Sequence, residues 1–269
     1  MPDEEMTNVA VMHADTGVIT ARVVRSAAIS PHIQRVTIGG GDLDSFDYRG
    51  FDQWFRLLVP VTDQVRFDNV PSRFDVDTYQ TYLALPDETR PEVRNYTVRD
   101  FRRDGLELDI DFVVHGDDGI AGPWSKRAKP GDPIAFIDQG HGWLPEKAAL
   151  ADEVLIVADE TAMPAALGVL RSLEPGVRGH AIIEVPDDAD RQPAPTNSDV
   201  TVEWVTRGAT QLPGQAALAA AAARQVSERV YAFAVGESSL ATGVRRLLVR
   251  DRGIDRNQVT FCGYYKLPA

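Results

Sequence analysis

The chain has 269 residues, of which 43% are hydrophobic, 25% charged and 8% aromatic, a balance that excludes disordered, collagen-like and disulfide-scaffold classes. At roughly 150 residues per domain, this length predicts one large domain or two of modest size. The 40 acidic and 28 basic residues give a net charge of −12, which argues against nucleic acid or an anionic membrane as a partner.

The lengths of the apolar runs and the number of cysteines exclude further classes of protein. The longest Ala/Leu run, residues 216–223, is far shorter than the roughly 20 residues of a membrane span. The single cysteine, Cys262, excludes an intramolecular disulfide and an iron–sulfur centre held by the cysteines of one chain. Electron transfer here would need an organic cofactor. The first residues are acidic and lack the layout of a secretory signal, so a cytoplasmic protein is expected.

The first half of the chain alternates polar and apolar residues, which is typical of antiparallel strands with one buried face. In residues 106–114, Leu108, Ile110 and Phe112 fall on one face and acidic residues occupy most of the other. Gly, Pro and Asp turn signals separate such stretches, and no long helical pattern interrupts them. Six strands are predicted, at residues 19–24, 33–38, 54–59, 93–98, 106–114 and 133–137.

After about residue 150 the pattern changes to apolar strands that alternate with helical stretches. The strands are rich in Val and Ile, which indicates a sheet buried on both faces. Thr161 is expected to cap a helix that runs towards Leu173, and Ser238 or Ser239 to cap another. The five predicted strands are residues 154–158, 181–185, 200–205, 230–235 and 259–262.

These two patterns predict a β-barrel domain followed by a doubly wound α/β domain with a parallel sheet. We place a flexible tail at residues 1–16, the barrel at 17–145 and the α/β domain at 151–269, with a linker at 140–151. The acidic, proline-containing segment 186–198 is predicted to be an exposed loop. This arrangement is expected of flavin reductases, but only by analogy.

One barrel strand carries a set of side chains suited to a flavin dinucleotide. Alternation places Arg94, Tyr96 and Val98 on one face, with the Thr97 hydroxyl close by. These supply a cation for a pyrophosphate, an aromatic plane for the isoalloxazine ring and a hydrogen-bond donor. An ordinary strand with a solvated arginine and a packed tyrosine would look the same.

A glycine-rich turn follows the next long strand and leads from His115 into a short helix at residues 123–128. Such a turn presents backbone N–H groups to a pyrophosphate, although a plain hairpin loop is the alternative. His115 with Asp117 and Asp118 could also suggest a metal site, but the ligand set is unconvincing and no protein metal site is predicted.

The motifs together resemble the siderophore-interacting protein family, which are FAD-dependent ferric-siderophore reductases with a ferredoxin-reductase-like fold. The resemblance spans nearly the whole chain. It is carried by RNYTVR from residue 94, DFVVHGDDGIAGPWSKRAKPGD from 111, ADETAMPAALGVL from 158, IIEVPDDADRQ from 182, VEWVTR from 202 and the segment AVGESSLATGVRRLLVRDRGIDRNQVTFCGYYK from 234.

This resemblance implies FAD and a nicotinamide donor, NAD(P)H, as cofactors. Arg94, Tyr96 and Thr97 would be the flavin signature, with Tyr96 against the isoalloxazine. His115, Gly122, Pro123, Trp124 and Ser125 would hold the adenine and pyrophosphate of FAD. The residues that would bind the nicotinamide dinucleotide follow the predicted strands 154–158 and 230–235. They are Asp159, Glu160, Thr161 and Ala162 after the first and Gly236 and Glu237 after the second.

The sequence departs from the family in ways that leave the electron donor open. Ala158 stands where a glycine is usual, no G-x-G-x-x-G fingerprint is present, and the chain ends in Tyr264-Tyr265-Lys266. NADH, NADPH and a reduced ferredoxin all remain candidates. Arg191 in the acidic loop could meet a 2′-phosphate, although a solvated charged loop is the simpler interpretation.

The implied substrate is a ferric siderophore, often an anion, which an acidic protein would bind through a local cationic site. Arg56, Lys266 and, more weakly, His141 are the candidates. Arg56 could equally be an exposed strand cation. The implied reaction passes electrons from the donor through FAD to Fe(III), so that iron leaves as Fe(II), with no catalytic protein nucleophile. The alternatives are a general NAD(P)H:flavin or quinone reductase, and a non-catalytic siderophore-binding protein.

Overall fold

The computed structural model describes residues 6–11, 17–73, 76–114, 116 and 119–268. Two compact units are present. The barrel unit comprises residues 11–49 and 53–141, and the parallel-sheet unit comprises residues 1–10, 50–52 and 142–269.

An antiparallel sheet of seven strands forms the barrel unit, in the order β4-β3-β7-β1-β2-β6-β5. It confirms the predicted antiparallel barrel architecture and adds one strand, the three-residue β5, to the six expected. This strand is too short for alternation to reveal it. The elements of this unit are β1 (Val18–Ser30), β2 (Ile33–Gly39), β3 (Trp54–Val59), α1 (Val76–Leu83), β4 (Glu92–Thr97), β5 (Asp100–Arg102), β6 (Glu107–Val113), α2 (Ala121–Arg127) and β7 (Pro133–Asp138), with a 3₁₀ helix at Leu43–Ser45.

The predicted alternation in β6 is confirmed. Leu108, Ile110 and Phe112 are fully buried in the core of the barrel unit, because successive side chains of a strand point to opposite faces. The same core holds Trp124 from α2, which closes one side of the barrel unit. Burial of such apolar surface is the main stabilising contribution, at about 25 cal/mol per Å² removed from water.

The acidic face of β6 is paired with arginines from neighbouring strands. Asp109 accepts hydrogen bonds from Arg102 at 2.7 and 2.8 Å and from the Thr37 hydroxyl at 2.6 Å. Asp111 accepts two from Arg35, at 2.6 and 2.8 Å. Asp109 and Asp111 are each only 5% exposed, so these two residues are buried although sequence alternation places them on the polar side of the strand.

A five-stranded parallel sheet forms the parallel-sheet unit, in the order β10-β9-β8-β11-β12. This confirms the predicted doubly wound α/β architecture. Its elements are α3 (Pro145–Leu150), β8 (Glu153–Ala158), α4 (Met163–Ser172), β9 (Arg178–Val185), β10 (Asp199–Thr206), α5 (Gln215–Ala223), β11 (Val230–Glu237), α6 (Ser238–Arg246) and β12 (Val259–Tyr265), with a π-helix at Leu247–Asp251 and 3₁₀ helices at Asp188–Asp190 and Arg256–Gln258.

Both predicted helix caps are wrong. Helix α4 has Ala162 at its N-cap, whose side chain has no acceptor, so the helix begins without a side-chain cap. Thr161 lies one residue earlier, and its hydroxyl donates to Asp159 at 2.6 Å. Helix α6 begins at Ser238 and is capped from the preceding strand, since the Glu237 carboxylate accepts from the N–H groups of Ser239 and Leu240. A carboxylate at this position also complements the positive end of the helix dipole.

Parts of the predicted tail and linker are structured. Asn8 exchanges hydrogen bonds with β12, donating its side-chain amide to Val259 O at 2.8 Å and accepting from Phe261 N at 2.9 Å. Within the predicted linker, residues 145–150 form α3. In the described part of the chain, no helix is both long and apolar enough to cross a membrane.

The parallel sheet reverses its direction of winding between β8 and β11. After β8 the chain adds β9 and β10 on one side, and then returns to add β11 and β12 on the other. Open α/β sheets bind ligands at the carboxyl ends of the strands that flank such a switch point. Here those ends are Ala158 and Glu237, so the residues that follow them form the candidate ligand edge.

Candidate functional site

Strand β4 carries the predicted flavin signature on the edge of the barrel sheet. Arg94 is exposed and donates to the Glu92 carboxylate at 3.0 Å and to Val93 O at 2.8 Å. The Tyr96 ring packs on Phe112 with a centroid separation of 4.4 Å, and burial raises the pKa of its phenol. A neutral, half-buried ring and an exposed guanidinium thus lie two residues apart on one strand.

A chain of aromatic rings connects this strand to α2. Phe112 contacts Tyr96 on one side and Trp124 on the other, with a Phe112–Trp124 centroid separation of 5.8 Å. The structure therefore brings the predicted isoalloxazine residue and the predicted pyrophosphate segment onto one cluster. Sequence spacing could not show this, because the connection runs through β6.

Within that segment, two side chains have internal partners. Trp124 belongs to the core, and the Ser125 hydroxyl donates to Gly122 O at 2.7 Å. Helix α2 begins without a side-chain cap, so the backbone N–H groups of its first turn are what this segment can offer a ligand. Pro123 is half-buried in that turn. His115, Asp117 and Asp118 lie outside the described residues.

The residues present fit a flavin dinucleotide. Trp54 lies directly opposite Thr97 in the β3–β4 pair, and its buried indole N–H has no hydrogen-bond partner among the described residues. A buried donor without a partner costs free energy unless a ligand or water accepts from it. Trp54 lies on the face of Thr97, whereas Tyr96 and Arg94 lie on the other face of β4, which is an edge strand. A group that combines an aromatic ring, ring acceptors and a pyrophosphate could meet both sets and the uncapped amides of α2 at this edge.

The three predicted substrate residues belong to two different units. Arg56 pairs with Asn95 across β3 and β4, which places it on the face of Thr97 and opposite to that of Tyr96. His141 follows Gly140, whose carbonyl accepts from Trp54 N at 2.8 Å, so it lies at the same end of the barrel sheet. Lys266 is exposed and follows β12 in the parallel-sheet unit.

At the switch point of the parallel sheet, Asp159 is fully buried and organises the turn that follows β8. Its Oδ1 accepts from the Thr161 hydroxyl at 2.6 Å and from the Thr161 N–H at 2.9 Å. Its Oδ2 accepts from the Glu237 N–H at 2.6 Å. Asp159 therefore links the ends of β8 and β11 by hydrogen bonds. Its side chain is buried within the candidate ligand edge and is not exposed to a ligand.

Glu160 is also fully buried, and its partner was not recognised in the sequence. Arg207, at the end of β10, donates to both Glu160 oxygens at 2.8 and 3.0 Å and to Glu184 at 2.9 Å. Glu184 in turn accepts from Gly214 N and Ala217 N, at the start of α5. We call Glu160, Arg207 and Glu184 the buried ion triad. It connects the carboxyl ends of three strands.

Gly236 and Tyr265 complete this edge. Gly236 has φ of +128°, and a Cβ atom there would lie 2.6 Å from the Asp159 carboxylate, so only glycine fits. Tyr265 O accepts from the Ser238 hydroxyl at 2.6 Å, which holds the C-terminal segment beside β11. Burial, with the Asp159 and Glu160 carboxylates nearby, raises the pKa of the Tyr265 phenol.

Replacing Gly236 by alanine should destabilise the parallel-sheet unit. The new methyl group must displace the buried Asp159 carboxylate in addition to adopting a left-handed φ, so we expect a loss of about 2–4 kcal/mol in the free energy of unfolding. Urea unfolding measures it. Gly176→Ala is the matched control, because Gly176 has φ of +87° with open space around it. Equal losses in the two variants would contradict the steric argument.

The stability of the protein should depend on the protonation of Asp159. Burial and the adjacent Glu160 raise the pKa of Asp159 to about 7, whereas an unfolded aspartate titrates near about 4. Between these values only the folded state holds the proton, so the free energy of unfolding should fall as pH rises from about 4 to about 7. Urea unfolding of wild type and Asp159→Asn across this range measures the effect.

The difference between these two proteins isolates Asp159 from other titrating groups. The pKa of His180 is lowered by burial, which makes its contribution to stability rise with pH over part of the same range. That contribution is common to both proteins and cancels. A difference that does not change with pH would contradict the prediction.

Comparison with known proteins identifies the family. The family model described as a siderophore-interacting FAD-binding domain matches residues 22–142, and the siderophore-interacting protein model matches residues 151–267. An uncharacterized protein of Mycobacterium tuberculosis is 38% identical over 188 residues, which are 69% of this chain and 64% of that protein. The chain thus matches less than two thirds of the length of that relative.

Two further relatives are matched by this chain over more than two thirds of their own length. An NADPH-dependent ferric-chelate reductase of Escherichia coli is 33% identical over 189 residues, which are 68% of this chain and 69% of that protein. A solved siderophore utilization protein from T. fusca has a TM-score of 0.77 at 28% identity, over 97% of both chains. The order of the matched models agrees with the barrel and parallel-sheet units described above. The chain belongs to the siderophore-interacting protein family.

Proposed function

We propose that the protein is an FAD-dependent reductase that takes electrons from NAD(P)H and delivers them to the iron of a ferric siderophore, releasing Fe(II). The observation that carries the proposal is the presence, in one chain, of an edge strand that carries Arg94 and Tyr96 and of a parallel sheet with a topological switch point between β8 and β11. The name of the E. coli relative, a ferric-chelate reductase, supports the same reaction.

In this proposal the residues of the chain bind and orient, and none acts as a nucleophile. Bound FAD would supply the chemistry, because a flavin accepts a hydride and returns electrons one at a time. Arg94 would pair with the pyrophosphate and Tyr96 would pack against the isoalloxazine. The uncapped backbone N–H groups of α2 would donate to the phosphate oxygens, and the Thr97 hydroxyl would donate to the ring.

The substrate is proposed to be an anionic ferric chelate. Arg56 shares a face of the β3–β4 pair with Thr97 and is half-buried, and burial lowers the pKa of its guanidinium without discharging it. His141 and Lys266 are proposed as further contacts. The donor could also be a reduced ferredoxin, and the reaction is proposed to take place in the cytoplasm, in keeping with a single cysteine.

An anaerobic half-reaction tests this function. The FAD-loaded protein is reduced, mixed with a ferric triscatecholate, and followed by flavin absorbance while a chelator traps Fe(II). Reoxidation with one Fe(II) trapped per electron is the expected result. If a quinone but no ferric chelate reoxidises the flavin, the protein is a general reductase. Binding of the chelate without electron transfer would make it a siderophore-binding protein.

A further inference from the structure

Three helices of the parallel-sheet unit begin at its candidate ligand edge. Helices α4, α5 and α6 follow β8, β10 and β11, so their N-termini lie at the carboxyl ends of the strands. In doubly wound sheets, the pyrophosphate of a dinucleotide binds at such an N-terminus, because the N–H groups of the first turn have no partner within the helix. What these N–H groups bind in this chain therefore bears on how much of a nicotinamide donor the edge can hold.

The first turn of α6 already binds a carboxylate of the chain itself. Glu237, the last residue of β11, accepts from the Ser239 N–H at 2.5 Å and from the Leu240 N–H at 3.3 Å. Its other oxygen accepts from the Leu267 N–H at 3.3 Å. Glu237 is only 2% exposed, so this carboxylate is part of the buried structure. It takes the position that a phosphate oxygen would occupy at this helix.

The first turn of α5 is occupied in the same way. The Glu184 carboxylate accepts from the Gly214 N–H at 2.8 Å and from the Ala217 N–H at 2.9 Å. Arg207, beside these N–H groups, is used by the buried ion triad, in which it donates to Glu184 and Glu160. Glu184 is fully buried, so a phosphate could bind here only by displacing a carboxylate that cannot reach water.

The turn before α4 is closed by Asp159. The N–H groups of Thr161 and Ala162 donate to its carboxylate at 2.9 and 3.3 Å. Pro164, in the first turn of the helix, has no N–H to offer. Residues 158–162 contain no glycine, whereas close approach of a backbone to a pyrophosphate depends on one. At each of the three helices, a side chain of the protein thus takes the place of a bound anion or a donor is missing.

We propose that the protein binds its donor through the nicotinamide mononucleotide half, and that the ADP half of NAD(P)H adds little to binding. Glu184 and Glu237 are the residues that determine this specificity, because they occupy the N–H groups that a pyrophosphate would need. The inference rests on the proposed use of a nicotinamide donor and refines it. The chemistry does not need the ADP half, since a hydride leaves C4 of the dihydronicotinamide ring, which becomes a pyridinium cation, and the bound flavin takes up both electrons.

Fragment binding and a comparison of donors test the inference on the FAD-loaded, full-length protein. ADP-ribose is titrated by calorimetry, and flavin reduction by reduced nicotinamide mononucleotide, NADH and NADPH is followed by stopped flow. We expect no ADP-ribose binding up to about 1 mM, and second-order rate constants for the three donors that agree within about threefold. A larger advantage of NADH or NADPH over the mononucleotide, or ADP-ribose binding in this range, overturns the inference.

Glu237→Ala frees the N–H groups of Ser239 and Leu240 for a ligand. In this variant ADP-ribose should bind measurably, and NADH should gain an advantage over the mononucleotide of at least about tenfold, which corresponds to about 1.4 kcal/mol. Asp255→Ala is the matched control. Asp255 caps the 3₁₀ helix at the amino end of β12, on the opposite edge of the sheet, where it accepts from the Asn257 N–H at 2.9 Å. This control should behave as wild type.

No gain of ADP-ribose binding in folded Glu237→Ala would contradict the role of Glu237. The comparison of donors on wild type needs no variant, so it decides the inference even where Glu237→Ala does not fold. Equal reduction by the three donors without any trapped Fe(II) would contradict the proposed function alone. Reduction by none of them would contradict the nicotinamide donor and, with it, this inference.

Discussion

Replacing Arg94 and Tyr96 together by alanine is expected to lower the affinity for FAD by roughly 30-fold to 1,000-fold, while the protein remains folded. A charged hydrogen bond to a phosphate contributes about 1.5–3 kcal/mol and an aromatic contact about 0.5–1.5 kcal/mol, and each 1.4 kcal/mol is about a factor of ten. Fluorescence titration of FAD into the cofactor-free protein measures the dissociation constant.

Controls for this prediction come from the same unit. Tyr48 is a partly buried tyrosine on the same core, 5.7 Å from Phe101, and the Arg103 guanidinium lies 5.8 Å from that same ring. The double variant Tyr48→Ala and Arg103→Ala therefore removes the same side-chain types away from β4. It should keep FAD affinity. Unchanged affinity in a folded Arg94→Ala and Tyr96→Ala variant would refute the flavin assignment.

Replacing Arg207 by methionine is expected to reduce the free energy of unfolding by about 3–5 kcal/mol, because it leaves two buried carboxylates without a cation. Glu160 and Glu184 are both fully buried, so neither can be solvated without opening the structure. The loss should be smaller at pH 5 than at pH 8, since an unpaired buried carboxyl group can relieve its cost by taking up a proton. Urea unfolding at both pH values measures it.

An exposed ion pair at the same sheet edge supplies the comparison. Arg191 pairs with Asp188 at 2.5 Å, but both side chains are solvated, and Arg191→Met should cost less than about 1 kcal/mol. Adding Glu160→Gln and Glu184→Gln to Arg207→Met should restore much of the lost stability. A loss in Arg207→Met no larger than that in Arg191→Met would show that the triad does not hold the edge.

Local patterns in the sequence predicted the architecture because burial imposes a period on the chain. Alternation in residues 106–114 identified β6, in which Leu108, Ile110 and Phe112 are fully buried. The Val- and Ile-rich runs identified all five parallel strands, and the structure orders them as a doubly wound sheet. The predicted flavin signature at Arg94 and Tyr96 is also a local motif. Patterns of this kind can be recognised from residues that are close together in the sequence.

The helix caps show where local reasoning fails. Thr161, Ser238 and Ser239 are all good cap residues by type, yet Glu237 caps α6 and no side chain caps α4. The N-cap of α4 is Ala162, which has no side-chain acceptor, and Asp159 accepts from both the Thr161 hydroxyl and the N–H of Glu237. Asp159 thus holds the Glu237 backbone at the start of α6, although the two residues are 78 positions apart in the sequence.

The sequence by itself determined the two-part architecture, the class of electron carrier and the family, since each follows from local periodicity or from contiguous motifs. Only the tertiary structure decided how the charged residues are used. Glu160 and Arg207 are 47 residues apart and Arg207 and Glu184 are 23 apart, so no spacing rule pairs them. Because these carboxylates are buried, the stability of the fold depends on each ion pair, since a charge removed from water is stable only beside an opposite charge.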